Sequence, residues 1–416
     1  MNITLVPGAR RGSVTPPASK SQAHRLLICA ALGQGETRLR CEGFSKDIQA
    51  TAACLRGLGA EIARDGDELL VAPIRPGRGT GILPCGESGS TLRFLLPLAG
   101  ALGLEAEFRM EGQLPHRPLH PLWELLEAGG MALRQDGDRL ICRGKLHSGD
   151  YALPGNVSSQ FISGLLLALP LAEGESTLRV TTPLESADYV AMTEEALRLS
   201  GIRWEGDALC RRIPGSQRPA LPPAVTVEKD WSAAAFFLSM GALSPAGITV
   251  RGMDEGSRQG DKRILDLLAG FGAEIARGEA GITVRREKLR GCRIDASQIP
   301  DLVPVLSTVA AAAEGETRIV HAQRLRLKES DRLKTTAAML RALGAEAEET
   351  EDGLRILGKG SLPGGTADAA GDHRIAMSAA AAASAARADV TILGAQCAEK
   401  SYPRFWEDLE KLEVLP

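Results

Sequence analysis

This chain has no excess of either charge, and that is the first thing to restrict it. Lys and Arg total 49 against 52 Asp and Glu, both signs spread along the sequence, for a formal charge of −3. Neither a basic nucleic-acid protein nor an acidic disordered chain has that balance. Aromatic residues are scarce, with 4 Trp, 3 Tyr and 8 Phe in 416 residues, so any core is aliphatic, built from Leu, Ala, Val and Ile. Long apolar runs are missing as well. The stretch from Phe161 to Ala172 is broken at Ser163 and Gly164 and falls short of the roughly 18 residues a membrane span needs. Met1-Asn2-Ile3-Thr4-Leu5 lacks the charged start and apolar stretch of a signal peptide. The 8 cysteines form no Cys-x-x-Cys pair, and most lie in apolar patterns, where a thiol behaves as a small hydrophobe. The expectation is a soluble cytoplasmic protein of two large or about three ordinary domains, with no membrane or nucleic-acid partner.

What the chain does have is a long internal repeat. A leucine-rich helix, a Gly, a short strand, a Gly-containing turn and a second strand recur together. The first copy is Leu55–Ile62 with the turn Asp65-Gly66-Asp67, and others turn at Asp136-Gly137-Asp138, Gly206-Asp207 and Asp352-Gly353. The helix-ending glycines stand at 59, 130, 201, 272 and 344, in steps of 71, 71, 71 and 72. A Gly just past a helix end and a Gly in a hairpin turn account for those residues. A second marker, Gly followed by a strand, keeps the same beat at Gly35, Gly103, Gly174, Gly247 and Gly315, with Ala388-Asp389 as a degenerate sixth. Each unit therefore reads helix–strand–helix–strand–strand, an α/β architecture of βαβ type. The sixth unit stops one strand short, and the lone strand Ile3–Val6 before the first helix is the candidate to complete it. That places residues 15–226 in one three-unit domain, and 1–14 with 227–416 in a second, discontinuous one joined by two crossings. A period this long suits compact domains rather than a solenoid.

The polar clusters fall at predicted helix starts. First helices begin at Lys20-Ser21, Gly89-Ser90, Ser158-Ser159-Gln160, Asp230-Trp231-Ser232, Asp301 and His373-Arg374. Second helices begin near Lys46-Asp47, Arg117, Ser186–Tyr189, Arg258–Asp261, Lys328–Arg332 and Lys400. Helix starts present unpaired N–H groups and the positive end of the macrodipole. Ordinary capping explains Ser and Asp there. It does not explain cations, which are mildly unfavourable at that end, yet Lys20, Arg117, Lys328, Arg332, Arg374 and Lys400 supply 6 of them. A ligand set with several negative charges, phosphates and carboxylates, would make the arrangement favourable. Asp301 and Glu329 are carboxylates in a basic setting, suited to general acid or base work.

Six segments together resemble the EPSP (5-enolpyruvylshikimate-3-phosphate) synthase family. They are Pro17-Ala18-Ser19-Lys20-Ser21-Gln22-Ala23-His24-Arg25, Gly86-Glu87-Ser88-Gly89-Ser90-Thr91-Leu92-Arg93, Arg117-Pro118-Leu119, Val157-Ser158-Ser159-Gln160-Phe161, Arg326–Arg332 and Asp372-His373-Arg374-Ile375-Ala376-Met377. The resemblance runs from about residue 5 to about 410, with the motifs in order. It implies two similar domains, each of three βαβαββ units in an inside-out α/β barrel, with an interdomain cleft. It further implies a monomeric transferase of the shikimate pathway of aromatic amino-acid biosynthesis, without cofactor or metal. The enolpyruvyl group of phosphoenolpyruvate would pass to the 5-hydroxyl of shikimate 3-phosphate through a tetrahedral intermediate, releasing inorganic phosphate.

By the same resemblance, shikimate 3-phosphate would be held by Lys20, Ser21, Arg25, Ser158, Ser159, Gln160, Ser186, Asp301 and Lys328, with Tyr189 as a further contact. Phosphoenolpyruvate would be held by Lys20, Gly89, Arg117, Gln160, Arg332, Arg374 and Lys400. Asp301 would take the proton of the 5-hydroxyl and Glu329 would protonate the methylene carbon, with Lys20 and Lys328 sharing in proton transfer. Asp47 and His373 read as supporting residues. His116 and His120 are four apart, but Pro118 and Pro121 break the helix a metal pair would need. There are departures from the family pattern: Arg324 replaces a common Asn, Ser90 a Thr, and Phe94 a Pro or Leu.

The sister transferase acting on UDP-N-acetylglucosamine is the alternative enzyme, but its loop Cys has no counterpart in Met110–Arg117. A non-catalytic anion-binding module would have no need of Asp301 and Glu329. Gly353–Lys359 imitates a P-loop but ends in Gly360 where Ser or Thr is required, and reads as a strand after a turn.

Overall fold

The helix-ending glycines of the repeat all adopt positive φ, at 104° for Gly59, 106° for Gly130, 78° for Gly201, 101° for Gly272 and 85° for Gly344. At Gly59 a side chain is excluded twice over, since a Cβ would also stand 2.8 Å from the Arg75 carbonyl oxygen. Each of these reversals leads into the next extended segment. The result, in a computed structural model that describes residues 1–75 and 77–415, is two compact units. One spans Ala18–Val227; the other joins Met1–Pro17 to Glu228–Pro416.

In the Ala18–Val227 unit, three four-stranded sheets repeat one plan, in which a parallel pair is extended by an antiparallel hairpin. Ile82–Gly86 runs parallel to Ala106–Met110, which pairs antiparallel with Arg139–Gly144 and through it with Met131–Asp136. Asp150–Leu153, Ser176–Val180, Cys210–Ile213 and Glu205–Gly206 follow the same order. The first sheet takes its outer parallel strand, Ala224–Thr226, from the far end of the unit, set against Thr37–Arg40.

The other unit has the same plan with two borrowed strands. Asn2–Leu5 lies antiparallel to Val390–Leu393, in the place left vacant by the truncated sixth repeat. Arg10–Val14 is a second strand ahead of the first helix, where only one was expected. It runs parallel to Ile248–Val250 and antiparallel to Glu413–Val414. Its polar sequence, Arg-Arg-Gly-Ser-Val, carries no apolar alternation that would announce it. The P-loop imitation is the strand Leu354–Lys359, with alternate residues buried.

The sheets enclose the helices rather than the reverse. All 10 residues of Val303–Ala312 and all 10 of His373–Ala382 are buried. Three further helices are buried except for their second residue: Ser90 in Gly89–Ala101, Gln160 in Ser159–Ala168 and Ser232 in Trp231–Ala242. A helix buried on every side belongs in a core, and in these three the one residue left unburied is a polar one in the first turn. Close contact between such helices needs small residues. Gly164 brings Ser159–Ala168 against Gly89–Ala101 so tightly that a Cβ there would strike the Arg93 carbonyl. Each unit has its own aliphatic core.

Three of the six cations do not sit on helix starts. Arg117 is extended, at φ −77° and ψ 127°, after the single turn Leu114–His116; the following Pro118 disfavours helix at that position. Lys328 follows the turn Gln323–Leu327 in extended geometry, and Lys400 closes the turn Ala395–Lys400. Lys20, Arg332 and Arg374 do lie in first helical turns. Asp301 precedes the helix Val303–Ala312 instead of capping it. Among the described residues no disulfide joins the cysteines, and no helix is long and apolar enough to cross a membrane.

Candidate active site

In the Ala18–Val227 unit, side-chain caps set the helix starts: Ser19, Ser45, Ser88 and Ser158 each accept a backbone N–H of the first turn. Polar contacts then tie those starts together. Lys20 donates to Asp47 Oδ2 at 3.0 Å, joining the first two helices. His24 Nδ1, Thr51 Oγ1, Thr91 Oγ1 and Ser88 Oγ form a buried chain with three steps of 2.7 Å. Thr91 donates to Ser88, so Thr51 donates to Thr91 and the imidazole carries its proton on Nδ1. Burial above all, with Lys20 and Arg25 nearby, pushes the His24 ring down to about 3 despite Asp47, so it is neutral.

Arg25 is 2% exposed and tightly committed. It donates to Thr193 Oγ1 at 2.7 Å, Ser21 O at 2.6 Å and Tyr189 O at 2.7 Å, and lies over the Phe94 ring. That brings Ser21 beside the start of the helix Ala187–Leu199, whose preceding residue, Ser186, is in left-handed conformation at φ 54°. A non-glycine residue held there is strained backbone, a state that tends to mark functional sites. Gln160 donates to Ser90 Oγ at 2.9 Å and accepts from Arg93 Nη1 at 3.2 Å; Arg93 also donates to Pro118 O at 3.2 Å. Gly89 sits beneath Arg117, whose Nη1 would be 2.7 Å from any Cβ. Ser158 and Ser159 open the Gln160 helix. Lys20, Ser21, Gly89, Ser90, Gln160 and Ser186 thus belong to one network of helix starts.

In the other unit the organising group is Arg332, 1% exposed. Its Nε donates to Asp372 Oδ2 at 2.8 Å, Nη1 to Asp301 Oδ1 at 2.8 Å, and Nη2 to Glu329 Oε2 at 2.7 Å and Asp372 Oδ1 at 3.3 Å. Asp372 also caps the helix His373–Ala382 by accepting Arg374 N at 2.9 Å. Arg374 meets Asp301 twice, through Oδ2 at 3.0 Å and the main-chain oxygen at 3.0 Å. Lys328 Nζ is 3.6 Å from Asp301 Oδ1 and Lys400 Nζ is 3.8 Å from Glu329 Oε1. All six unit residues named from the sequence, Asp301, Lys328, Glu329, Arg332, Arg374 and Lys400, are therefore in one cluster. Arg324 donates to Ser297 O at 2.8 Å and stands near enough to Lys328 to act on its charge.

The electrostatics of this cluster are uneven. Burial pushes the Asp301 carboxyl up, but Arg374, Lys328 and Arg332 outweigh it and hold it well below the usual range. Lys328 is lowered to about 8, by burial first and by Arg332 and Arg324, against the pull of Asp301 and Glu329. An amine near neutrality can both give and take a proton.

The whole length of the chain has known counterparts. The family model described as EPSP synthase (3-phosphoshikimate 1-carboxyvinyltransferase) matches residues 6–409. A 3-phosphoshikimate 1-carboxyvinyltransferase of Clostridium kluyveri is 42% identical, covering 99% of this chain and 97% of that protein. One from Clostridium acetobutylicum is 41% identical over the same shares. This chain belongs to the EPSP synthase family. The solved EPSP synthase of Acinetobacter baumannii superposes on it with TM-score 0.80 and 26% identity, over 100% of both chains. The enolpyruvyl transferase NikO of Streptomyces tendae shares the fold, with TM-score 0.77, 20% identity and coverage of 100% and 99%.

Two residues of this EPSP synthase family member gain weight from the geometry. Arg93, quoted from the sequence only as part of a motif, is 3% exposed and links the Gly89 helix to Gln160 and to the Arg117 loop. Asp372 is fully buried and is the partner that fixes Arg332. In sequence each looked like a motif end or a helix cap, and only the fold reveals their partners.

Proposed function

We propose that this chain transfers the enolpyruvyl group of phosphoenolpyruvate to the 5-hydroxyl of shikimate 3-phosphate, yielding the enol ether and inorganic phosphate. The observation that carries this reading is the pair of carboxylates, Asp301 and Glu329, held by one guanidinium, Arg332, and flanked by Arg374, Lys328 and Lys400. A binding module needs the cations, and the fully buried Asp372 already pairs Arg332; two further carboxylates open to the same cations suit proton transfer. The 5-hydroxyl adds to C2 of phosphoenolpyruvate as C3 gains a proton. The tetrahedral intermediate then loses phosphate and a methyl proton, so the C–O bond breaks and the phosphoryl group is not transferred.

Asp301 receives the hydroxyl proton and Glu329 delivers one to C3, with Lys20 and Lys328 sharing in the transfer. Arg117, Arg332, Arg374 and Lys400 bind phosphoenolpyruvate, and Gly89 and Gln160 complete its contacts. Ser21, Arg25, Ser158, Ser159 and Ser186 hold shikimate 3-phosphate. The test is phosphate release on mixing the protein with phosphoenolpyruvate and either shikimate 3-phosphate or UDP-N-acetylglucosamine. Release with the shikimate ester alone supports the reading, and silence with both overturns it.

Gly89→Ala probes the phosphoenolpyruvate contacts. The new Cβ would stand 2.5 Å from Arg93 Nη1 and 2.7 Å from Arg117 Nη1, the ends of flexible side chains. The fold should survive while both guanidiniums shift. The KM for phosphoenolpyruvate should rise roughly tenfold, about 1.4 kcal/mol of binding, with kcat changed far less. Steady-state kinetics with phosphoenolpyruvate as the varied substrate checks it.

A further inference from the structure

Beside the Asp301 cluster lies a carboxyl that the proposed reaction does not use. Asp261, in the short turn Gly260–Arg263, is 3% exposed. Its Oδ2 meets the Ser232 hydroxyl in a very short contact, and its Oδ1 has no hydrogen-bond partner. Ser232 is the one unburied residue of its helix, in the position that Ser90 and Gln160 occupy in theirs.

An ionised carboxylate with one buried oxygen left without a donor is costly. A protonated carboxyl still accepts the Ser232 hydroxyl on Oδ2 and leaves no buried charge uncompensated, which costs less. The surrounding charges favour the neutral form too. Asp230, the cap of the Trp231–Ala242 helix, and Asp301 repel an anion at this point, while Arg374 attracts one. On its own turn Lys262 reaches away to the Glu255 carbonyl, and Arg263 is exposed. Burial, then Asp301, raise the carboxyl to about 6 against the opposing pull of Arg374 and the Ser232 hydrogen bond.

Resting on the functional reading above, we propose that Asp261 is a further positioning residue for phosphoenolpyruvate, acting through Arg374. With Asp261 neutral, one anion fewer holds Arg374 beside Asp301, and an anionic ligand draws the guanidinium away more readily. With Asp261 ionised, a second anion holds Arg374 back and repels the ligand. Ligand binding therefore draws a proton onto Asp261, and affinity falls as pH rises through the carboxyl's value in the free protein.

The test is to titrate phosphoenolpyruvate into wild type and Asp261→Asn from about pH 5.5 to pH 8.5, and to assay phosphate release alongside. Asn keeps the shape and the Ser232 contact but stays neutral, and the ligand's own ionisation cancels in the ratio of the two affinities. The two should bind equally at the acid end. Above about pH 6 wild type should weaken relative to the variant, by at most about tenfold per pH unit for one linked proton. Calorimetry in two buffers of different ionisation enthalpy should show more proton uptake by wild type than by the variant. A ratio constant across the range, from a wild type that turns over, overturns the role of Asp261 and leaves the functional reading standing. A wild type that releases no phosphate overturns that reading instead. Should Asp261→Asn fail to fold, Ser232→Ala serves. It removes a hydrogen bond that favours the ionised form, so the onset of weakening should move to higher pH, and an unmoved onset overturns the proposal.

Discussion

Replacing Arg332 by Met should lower the melting temperature by roughly 10 °C and abolish measurable turnover. The side chain is 1% exposed and faces three carboxylates, Asp372, Asp301 and Glu329, of which Asp372 is itself fully buried. Met fills similar space, so the loss is of charge and hydrogen bonds rather than of volume. Removing one partner of a buried ion pair costs about 3–5 kcal/mol, because the other charge stays behind uncompensated. Three partners share one guanidinium, so the cost is not three times that figure. For a unit of this size each kcal/mol moves the melting temperature by roughly 2–4 °C. The pH dependence gives the effect its signature. Asp301 is held well below its ordinary value, so its contribution is present above the unfolded carboxylate range and is lost as pH falls through the folded value. The difference between wild type and Arg332→Met should be full at neutral pH and shrink as pH falls below about 4. Thermal melts at several pH values check this, and a pH-independent difference would locate the cost in packing.

The legible and illegible parts of this molecule divide by sequence separation. The glycines at 59, 130, 201, 272 and 344 announce themselves because a positive φ at a helix end is a local need that few residues meet. The starts at Lys20, Gly89 and His373 are equally local, each preceded by a Ser or Asp whose side chain caps the first turn. The strand Arg10–Val14 is not local. Its burial is set by a partner at Ile248–Val250, far along the chain, and nothing in its own polar residues says so. The same holds in the site. Lys328 and Lys400 were recognisable as cations with a task, yet single turns at Gln323–Leu327 and Ala395–Lys400 deliver them from outside the helix starts. That Asp372 holds Arg332 depends on two helix starts meeting across 40 residues, and that Asp261 stands near Asp301 depends on a short turn meeting the segment ahead of a distant helix. Residue types and local spacing fix what a group can do; the fold decides which groups share a proton or a charge.

Asp301→Asn should separate binding from chemistry. Asp301 receives Arg332 at 2.8 Å, Arg374 at 3.0 Å and Lys328 at 3.6 Å, so it occupies two of the cations, Arg332 and Arg374, proposed to bind phosphoenolpyruvate. While they hold it, its carboxylate is a poor base. An incoming anion that takes Arg374 and Arg332 away removes what depresses it, and its basicity rises where the proposed reaction delivers the 5-hydroxyl proton. Asn retains the shape and an acceptor oxygen but releases the cations and cannot take a proton. The KM for phosphoenolpyruvate should stay level or fall, while kcat falls by roughly 10²–10⁴-fold, the usual contribution of a positioned base. A lower kcat with a lower KM is the pattern of a group that competes with the substrate in the ground state and acts in the transition state. The pH profile should change with it, since the acid limb that reflects this carboxylate in the loaded enzyme disappears in the variant. If instead kcat is retained and only KM rises, Asp301 is a ligand for its cations and the base lies elsewhere, with Lys328, lowered to about 8, the next group to replace.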